Sequence, residues 1–256
     1  MLITGASAGI GRALAVEAAQ AGAKVILLAR SGDKLAELCQ EIHQLGGQAA
    51  YFTVDLSDRT SLHDGVKRMQ QQFPVIDILV NNAGIGWYGL FHDMPVESVQ
   101  NLLDLNINAL TEVTRIVLPA MLAQRQGKIV NISSIIGDLA AQGAVLYAAS
   151  KTYVNAFSRA LMRELRGSGV QVVAAKVGPV ETGFFSRMKD AGSLHIPGEA
   201  MAVPVERVAK RLVQLCAGQR SGSVYIPAYY ALFPLVERWL GWIIDLVGPV
   251  LLLVRK

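Results

Sequence analysis

Only two cysteines occur in 256 residues, Cys39 and Cys216, in separate helix-like stretches with no CxxC spacing. That excludes a disulfide framework and reads as two buried thiols in a reducing compartment. Charge is scarce too: Asp, Glu, Lys and Arg make up 17% of the chain, the net charge is +4, and the basic residues form no run. A nucleic-acid partner is therefore not expected. His43, His63 and His92 show no metal-ligand spacing, so no metal is expected. The opening "MLITGAS" has neither a basic n-region nor an apolar h-region, so a secretory leader is not expected and a cytoplasmic location is. No linker, short repeat or low-complexity segment interrupts the chain.

Apolar residue is what the chain has in quantity, at 52% with a mean hydropathy of +0.36, which excludes disorder. Strand-like runs at Leu2-Ile3, Val25–Leu28, Ala50–Val54, Ile76–Val80, Lys128–Ile132, Val170–Val177 and Val224–Ile226 alternate with stretches of helical spacing. Those stretches include Ala13–Ala21, Leu35–Leu45, Leu62–Phe73 and Tyr153–Leu165. The repeated order predicts an α/β fold, a Rossmann-type doubly wound parallel sheet of about seven strands with helices on both faces. One domain is expected over 1–228, with 229–256 as its apolar helical extension.

Glycine is concentrated where it carries meaning. Thr4-Gly5-Ala6-Ser7-Ala8-Gly9-Ile10-Gly11 lies between the first strand and an amphipathic helix. Glycines in that setting let the backbone approach a phosphate while the first N–H groups of the helix face the anion. In dinucleotide folds an acid about 20 residues further on holds the adenosine 2′-hydroxyl. Here the segment reads Leu28-Ala29-Arg30-Ser31, with no acid to repel a 2′-phosphate and a guanidinium able to fork onto one. NADP(H) is the expected cofactor, NAD(H) the less favoured one, with Ser31 as a second donor.

"LYAASKTYVNAF" sets Tyr147 and Lys151 on one helix face. An ammonium beside a phenol favours phenolate, and is expected to bring the tyrosine toward working pH as a general acid/base on a carbonyl or alcohol oxygen. Upstream, "KIVNISSIIG" carries Ser133 and Ser134 to the carboxyl end of a strand, where open α/β sheets bind ligands. Together with Asp55 in "VDLSD", Asn81-Asn82-Ala83-Gly84 and Asn106 in "DLNINAL", these motifs make the whole chain resemble a short-chain dehydrogenase/reductase.

The resemblance implies an oxidoreductase in which Tyr147 is the acid/base and Ser134 steadies the substrate oxygen. Lys151 binds the nicotinamide ribose and lowers the tyrosine pKa, and Asn106 anchors a water leading to the lysine. Ser134 is preferred to Ser133, and Asn106 to Asn108, by the family's offsets. For the cofactor it implies Gly5, Ser7, Gly9, Ile10 and Gly11 at the pyrophosphate, and Asp55 facing the adenine amino group with Leu56 beside it. Asn82, Ala83 and Gly84 pass under the adenine ribose. "KVGPVETGFF" resembles the segment that holds the carboxamide, through Val180 and Thr182, with Val177 where proline is usual. Relatives usually carry several residues before the first strand, so Met1 is expected to begin mid-strand or to follow a different true start.

Ile135-Ile136, Ile85–Tyr88 and a lid over 183–200 are the expected substrate lining; the lid holds Phe184, Phe185, Met188 and His195 with Gly192 and Gly198 as hinges. The inventory suits a hydrophobic ketone or alcohol. His195 in a loop reads more readily as solvated than as a substrate contact. The helix of Tyr147 and an expected helix Asn101–Leu122 carry apolar residues on more than one face, and relatives pair these helices, so a homodimer or homotetramer is expected. In the tail, Glu237, Arg238 and Asp245 weigh against spanning a bilayer and fall in one arc, with Trp239 and Trp242 suited to a water–lipid boundary. An in-plane membrane anchor is expected there, or alternatively a cover over the cleft or a partner contact, with Pro249 stopping or kinking the helix near Val247. A cofactor-binding redox sensor and a membrane-associated interaction protein remain as rival readings on the same fold; the complete Ser-Tyr-Lys set argues against the sensor.

Overall fold

Strands buried on both faces need no polar alternation, and that is how the interior strands of this chain read. In the computed structural model, which describes residues 1–190 and 201–253, β1 (Leu2–Thr4), β2 (Lys24–Ala29), β3 (Gln48–Thr53), β4 (Ile78–Asn81), β5 (Gly127–Ser134), β6 (Val170–Val177) and β7 (Gly222–Ile226) form one parallel sheet. The strand order is β3-β2-β1-β4-β5-β6-β7. The chain thus turns back between β1 and β4, and the strand ends open a crevice at that switch point.

Helices cover both faces. α1 (Gly9–Gln20), α2 (Gly32–Gln44) and α8 (Val205–Ala217) bury Leu14, Leu38 and Leu212 against one face. α3 (Arg59–Gln72), α5 (Ala109–Gln124) and α6 (Val145–Glu164) bury Val66, Val113 and Leu161 against the other. α4 (Val96–Leu103) and α7 (Phe184–Asp190) flank the crevice, and α9 (Phe233–Leu253) closes the described chain. Each fully buried Leu or Ile contributes about 1.5–3 kcal/mol relative to exposure. Local signals set the ends: Asp58 caps α3 by accepting from Ser61 N at 2.6 Å, and Arg125 ends α5 in a left-handed conformation (φ 52°).

Three expected boundaries move for physical reasons. α6 runs from Val145 and includes Tyr147 and Lys151 as expected; it extends well before the apolar stretch Tyr153–Leu165 because Ser150 and Lys151 are buried on its inner face and interrupt the apolar period. The expected helix Asn101–Leu122 is not continuous α-helix: a π turn over Asp104–Asn108 separates α4 from α5 and carries the buried Asn106. Pro249 does not end α9, which continues to Leu253; a proline removes one backbone donor, and the flanking turns carry the helix on. No helix among the described residues is long and apolar enough to cross a membrane.

Candidate functional site

The β1–α1 turn is bound to the end of β4 before it binds anything else. Thr4 Oγ1 accepts from Asn82 N at 2.9 Å and Ala83 N at 3.0 Å, while Asn82 Nδ2 donates to Thr4 O at 2.9 Å and Gly5 O at 3.2 Å. Glycine is required by this geometry at more than one position. Gly9 has φ 54°, and a Cβ on Gly11 would sit 2.4 Å from Gly5 O. Gly11 thus serves the packing of the turn and does not line the crevice, whereas Gly5, Ser7, Gly9 and Ile10 do.

One cavity of about 620 Å³ runs along the strand ends. At one extreme stand Arg30 and Ser31, joined by Lys34, which the sequence reading passed over although it opens α2 only four residues after Arg30. Leu56, Asn82, Ala83 and Gly84 line the middle, with Val180 and Thr182 across from the glycine turn. The Thr182 methyl lies 3.4 Å from where a Cβ of Gly9 would be. Asp55 does not line the cavity: its carboxylate accepts from Ser57 N at 2.9 Å and Ser57 Oγ at 2.6 Å, closing its own turn. Among the described residues the charged lining groups are Arg30, Lys34, Lys151 and Arg187, and no carboxylate faces the space.

At the other extreme Ser134 ends β5 and Tyr147 rises from α6; both line the cavity, and Ser134 Oγ accepts from Ile136 N at 3.3 Å. Ser133 faces away, with its hydroxyl on Asn155 Oδ1 at 2.7 Å and Lys151 O at 3.2 Å. Lys151 Nζ donates to Ile132 O at 3.0 Å and stands 5.8 Å from the Tyr147 ring centroid. Asn106 lies behind, outside the cavity wall, its Oδ1 accepting from Ile85 N at 2.9 Å and its Nδ2 donating to Ile85 O and Ser150 Oγ.

Burial dominates the electrostatics. It pushes the Tyr147 phenol up to about 12, partly offset by the Ser134 hydroxyl, and lowers Lys151 to about 8. The expected lowering of the tyrosine by the lysine is not found here: desolvation dominates, and the ammonium is turned to a carbonyl.

Around Tyr147 the walls are apolar. Tyr88, Met188, Phe184 and Phe185 cluster there, with the Phe184 and Tyr147 ring centroids 5.7 Å apart. Ile85, Tyr88, Ile135 and Ile136 line the cavity, but Trp87 does not; it packs with Met94 and Leu102. Gly192, His195 and Gly198 of the expected lid lie outside the described residues. Tyr230 and Phe233 also line the cavity, so the C-terminal extension begins as part of its wall. Glu237 Oε1 accepts from Ala140 N at 3.4 Å and ties α9 to the turn after β5.

Residues 1–192 match a family model described as short chain dehydrogenase. The chain is 34% identical over 224 residues to the 3-oxoacyl-(acyl-carrier-protein) reductase FabG of Thermotoga maritima, covering 86% of this chain and 91% of that one. A short-chain dehydrogenase from Sphingobium yanoikuyae solved with NADPH superposes with a TM-score of 0.81 at 29% identity, covering 97% of this chain and 94% of that one. A metagenomic short-chain oxidoreductase solved with NADP gives a TM-score of 0.74 at 30% identity, covering 88% and 94%.

Proposed function

Because this chain belongs to the short-chain dehydrogenase family, enzymes acting on CH–OH and C=O groups, we propose that it reduces an apolar ketone with NADPH. One observation carries the reading: a single cavity joins three donors at the end of β2, a glycine turn at a helix N-terminus and a protonated phenol among apolar walls, with no carboxylate among its described lining residues. A phosphorylated dinucleotide fits such a space by charge and by the room left at Gly9. Both solved relatives described above hold that class of cofactor.

In this reading Gly5, Ser7, Gly9 and Ile10 hold the pyrophosphate, and Arg30, Ser31 and Lys34 the 2′-phosphate. Leu56 and Asn82–Gly84 hold the adenosine, Asp55 closes the turn beside it, and Val180 and Thr182 hold the carboxamide. Gly11 keeps the turn closed against Asn82. When bound, the cofactor would supply the hydride for the carbonyl carbon. Ser134 positions the carbonyl oxygen, and Tyr147, held protonated by burial, donates the proton to it. Lys151 holds the ribose and returns a proton to the phenolate, while Asn106 fixes the Ile85 backbone beside them.

The substrate site is the pocket of Tyr88, Ile136, Phe184, Phe185 and Met188, closed by Phe233. On α9, Leu235, Trp239, Trp242 and Leu246 are exposed on one side, at 54%, 71%, 65% and 69%. We assign that stripe to peripheral contact with a lipid surface, which places the source of an apolar ketone beside the cavity wall. A homodimer or homotetramer paired through α5 and α6 completes the reading. The test is oxidation of NADPH and of NADH, followed at 340 nm, against 2-decanone, an aromatic ketone and a ketose. Turnover with NADPH on the apolar ketones supports the reading, and turnover confined to the ketose overturns its substrate class.

A further inference from the structure

Behind Ser134, on the side away from the cavity, three polar side chains that the chemistry above does not use converge on one carboxylate. Asp138 ends the short 3-10 turn Ile135–Asp138 that follows β5 directly. Lys176 Nζ, on β6, donates to its Oδ1 at 2.7 Å and Oδ2 at 2.8 Å, with side chains only 9% and 16% exposed. Tyr225 on β7 donates its hydroxyl to Asp138 Oδ2 at 2.9 Å, and its ring lies 4.9 Å from Lys176 Nζ. Asn155 of α6 adds a fourth contact, Nδ2 to Asp138 Oδ1 at 3.2 Å.

The cluster reaches the reacting groups by two short routes. Asn155 also accepts from Ser133, whose hydroxyl shares itself with the carbonyl of Lys151. Thr152, next to Lys151, donates to Gly137 O at 2.9 Å. The turn that begins at Ser134 is therefore tied at its far end to β6, β7 and α6 at once, and α6 carries Tyr147 and Lys151. Burying a lysine and an aspartate together seldom adds stability over apolar residues of the same volume, because desolvation offsets the Coulombic gain. What the arrangement does supply is direction: a carboxylate accepting four hydrogen bonds from three side chains on three elements admits one placement of the turn.

We propose that Asp138, Lys176 and Tyr225 are positioning residues that hold the Ser134 turn in register with α6, and so set the Ser134–Tyr147 geometry for proton transfer. This rests on the reading of Ser134 and Tyr147 given above. A displacement of about 1 Å between reacting groups is enough to cost up to about a hundredfold in rate.

The experiment compares the parent, Lys176→Met, the neutral double variant Asp138→Asn/Lys176→Met, and Tyr225→Phe. Thermal unfolding without cofactor, NADPH dissociation constants by fluorescence, and kcat and KM with 2-decanone are measured for each. Lys176→Met leaves a buried carboxylate unpaired and is expected to unfold earlier. The double variant keeps an acceptor for Tyr225 and Asn155, so parent-like unfolding and NADPH affinity within about twofold are expected, with kcat still lower by about tenfold. Parent-like kcat in the double variant would show a purely structural cluster and overturn the proposal. If the double variant fails to fold, Tyr225→Phe decides alone: a kcat reduced about threefold at unchanged NADPH affinity supports it, and an unchanged kcat overturns it. A parent with no turnover on any carbonyl overturns the functional reading and this proposal together, whereas an active parent with an equally active double variant overturns this proposal alone.

Discussion

Lys151 is the residue whose removal separates function from stability. It is 7% exposed, and the hydrogen bond to Ile132 O does not repay the loss of water: burial brings its ammonium from an ordinary 10.5 to about 8. At about 1.4 kcal/mol per pH unit, that difference corresponds to about 3 kcal/mol held against folding when the ammonium is charged. Between pH 8 and 10.5 the unfolded chain binds a proton that the folded chain has released, so the free energy of unfolding rises with pH across that window. The gain is complete above 10.5 and is lost as the pH falls through 8. Lys151→Met replaces the charge with an apolar side chain of similar length. The variant, free of cofactor, should be more stable than the parent at pH 7 by about 3 kcal/mol, or about 6 °C in Tm for a chain of this size. The advantage should shrink through pH 8–10 and vanish near 10.5. Urea unfolding of both proteins at pH 7, 8.5, 9.5 and 10.5 measures it, the difference between them cancelling the other titrations. A Lys151→Met variant less stable than the parent at pH 7, or one whose advantage does not change with pH, would refute the reasoning. NADPH binding and turnover should fall in the same variant.

Arg30→Asp should reverse the cofactor preference, since losing a charge-assisted contact costs about 1.5–3 kcal/mol; equal affinity of the parent for NADPH and NADH in fluorescence titration would remove the role of Arg30. Gly11→Ala should fail to close the β1–α1 turn, because its Cβ would meet Gly5 O at 2.4 Å; a stable variant with intact NADPH binding would contradict the packing described. A chain ended at Tyr229 should lose flotation with anionic liposomes that the full chain shows, and both chains staying in the soluble fraction would remove the lipid contact. Light scattering at micromolar concentration should give a dimer or tetramer, and a monomer would exclude the pairing through α5 and α6.

Much of this was legible because local chemistry and topology point the same way. Val25–Leu28 and Val170–Val177 read as buried parallel strands and are that, and the Gly-rich turn announces a helix N-terminus that the structure supplies. Ser134 stands apart from Ser133 in space as it did in spacing, the one toward Tyr147 and the other toward Asn155. Legibility fails where burial is spent on polar groups. The first two turns of α6 carry Ser150 and Lys151 inward, so their apolar period vanishes, and only the Tyr147–Lys151 spacing marks them as helix. Asn106 sits on a π turn that no residue pattern announces. Lys34 stands only four residues after Arg30, but by sequence it is an ordinary surface lysine, and nothing in its spacing marks it as lining the same cavity end. The Asp138–Lys176–Tyr225 cluster joins residues 38 and 49 positions apart, a separation at which spacing carries no information.

The central claim is that Tyr147 delivers the proton in an NADPH-dependent carbonyl reduction, and Tyr147→Phe tests it most directly. The substitution removes one hydroxyl from a wall that Phe184 and Met188 already make apolar, so the fold and the NADPH end of the cavity should be undisturbed. Single-turnover oxidation of NADPH with 2-decanone, beside an NADPH titration of the same variant, is the measurement. The account predicts a rate lower by about 100-fold or more, the range assigned to general acid catalysis, with the dissociation constant unchanged. A Tyr147→Phe enzyme turning over at the parent rate would contradict it.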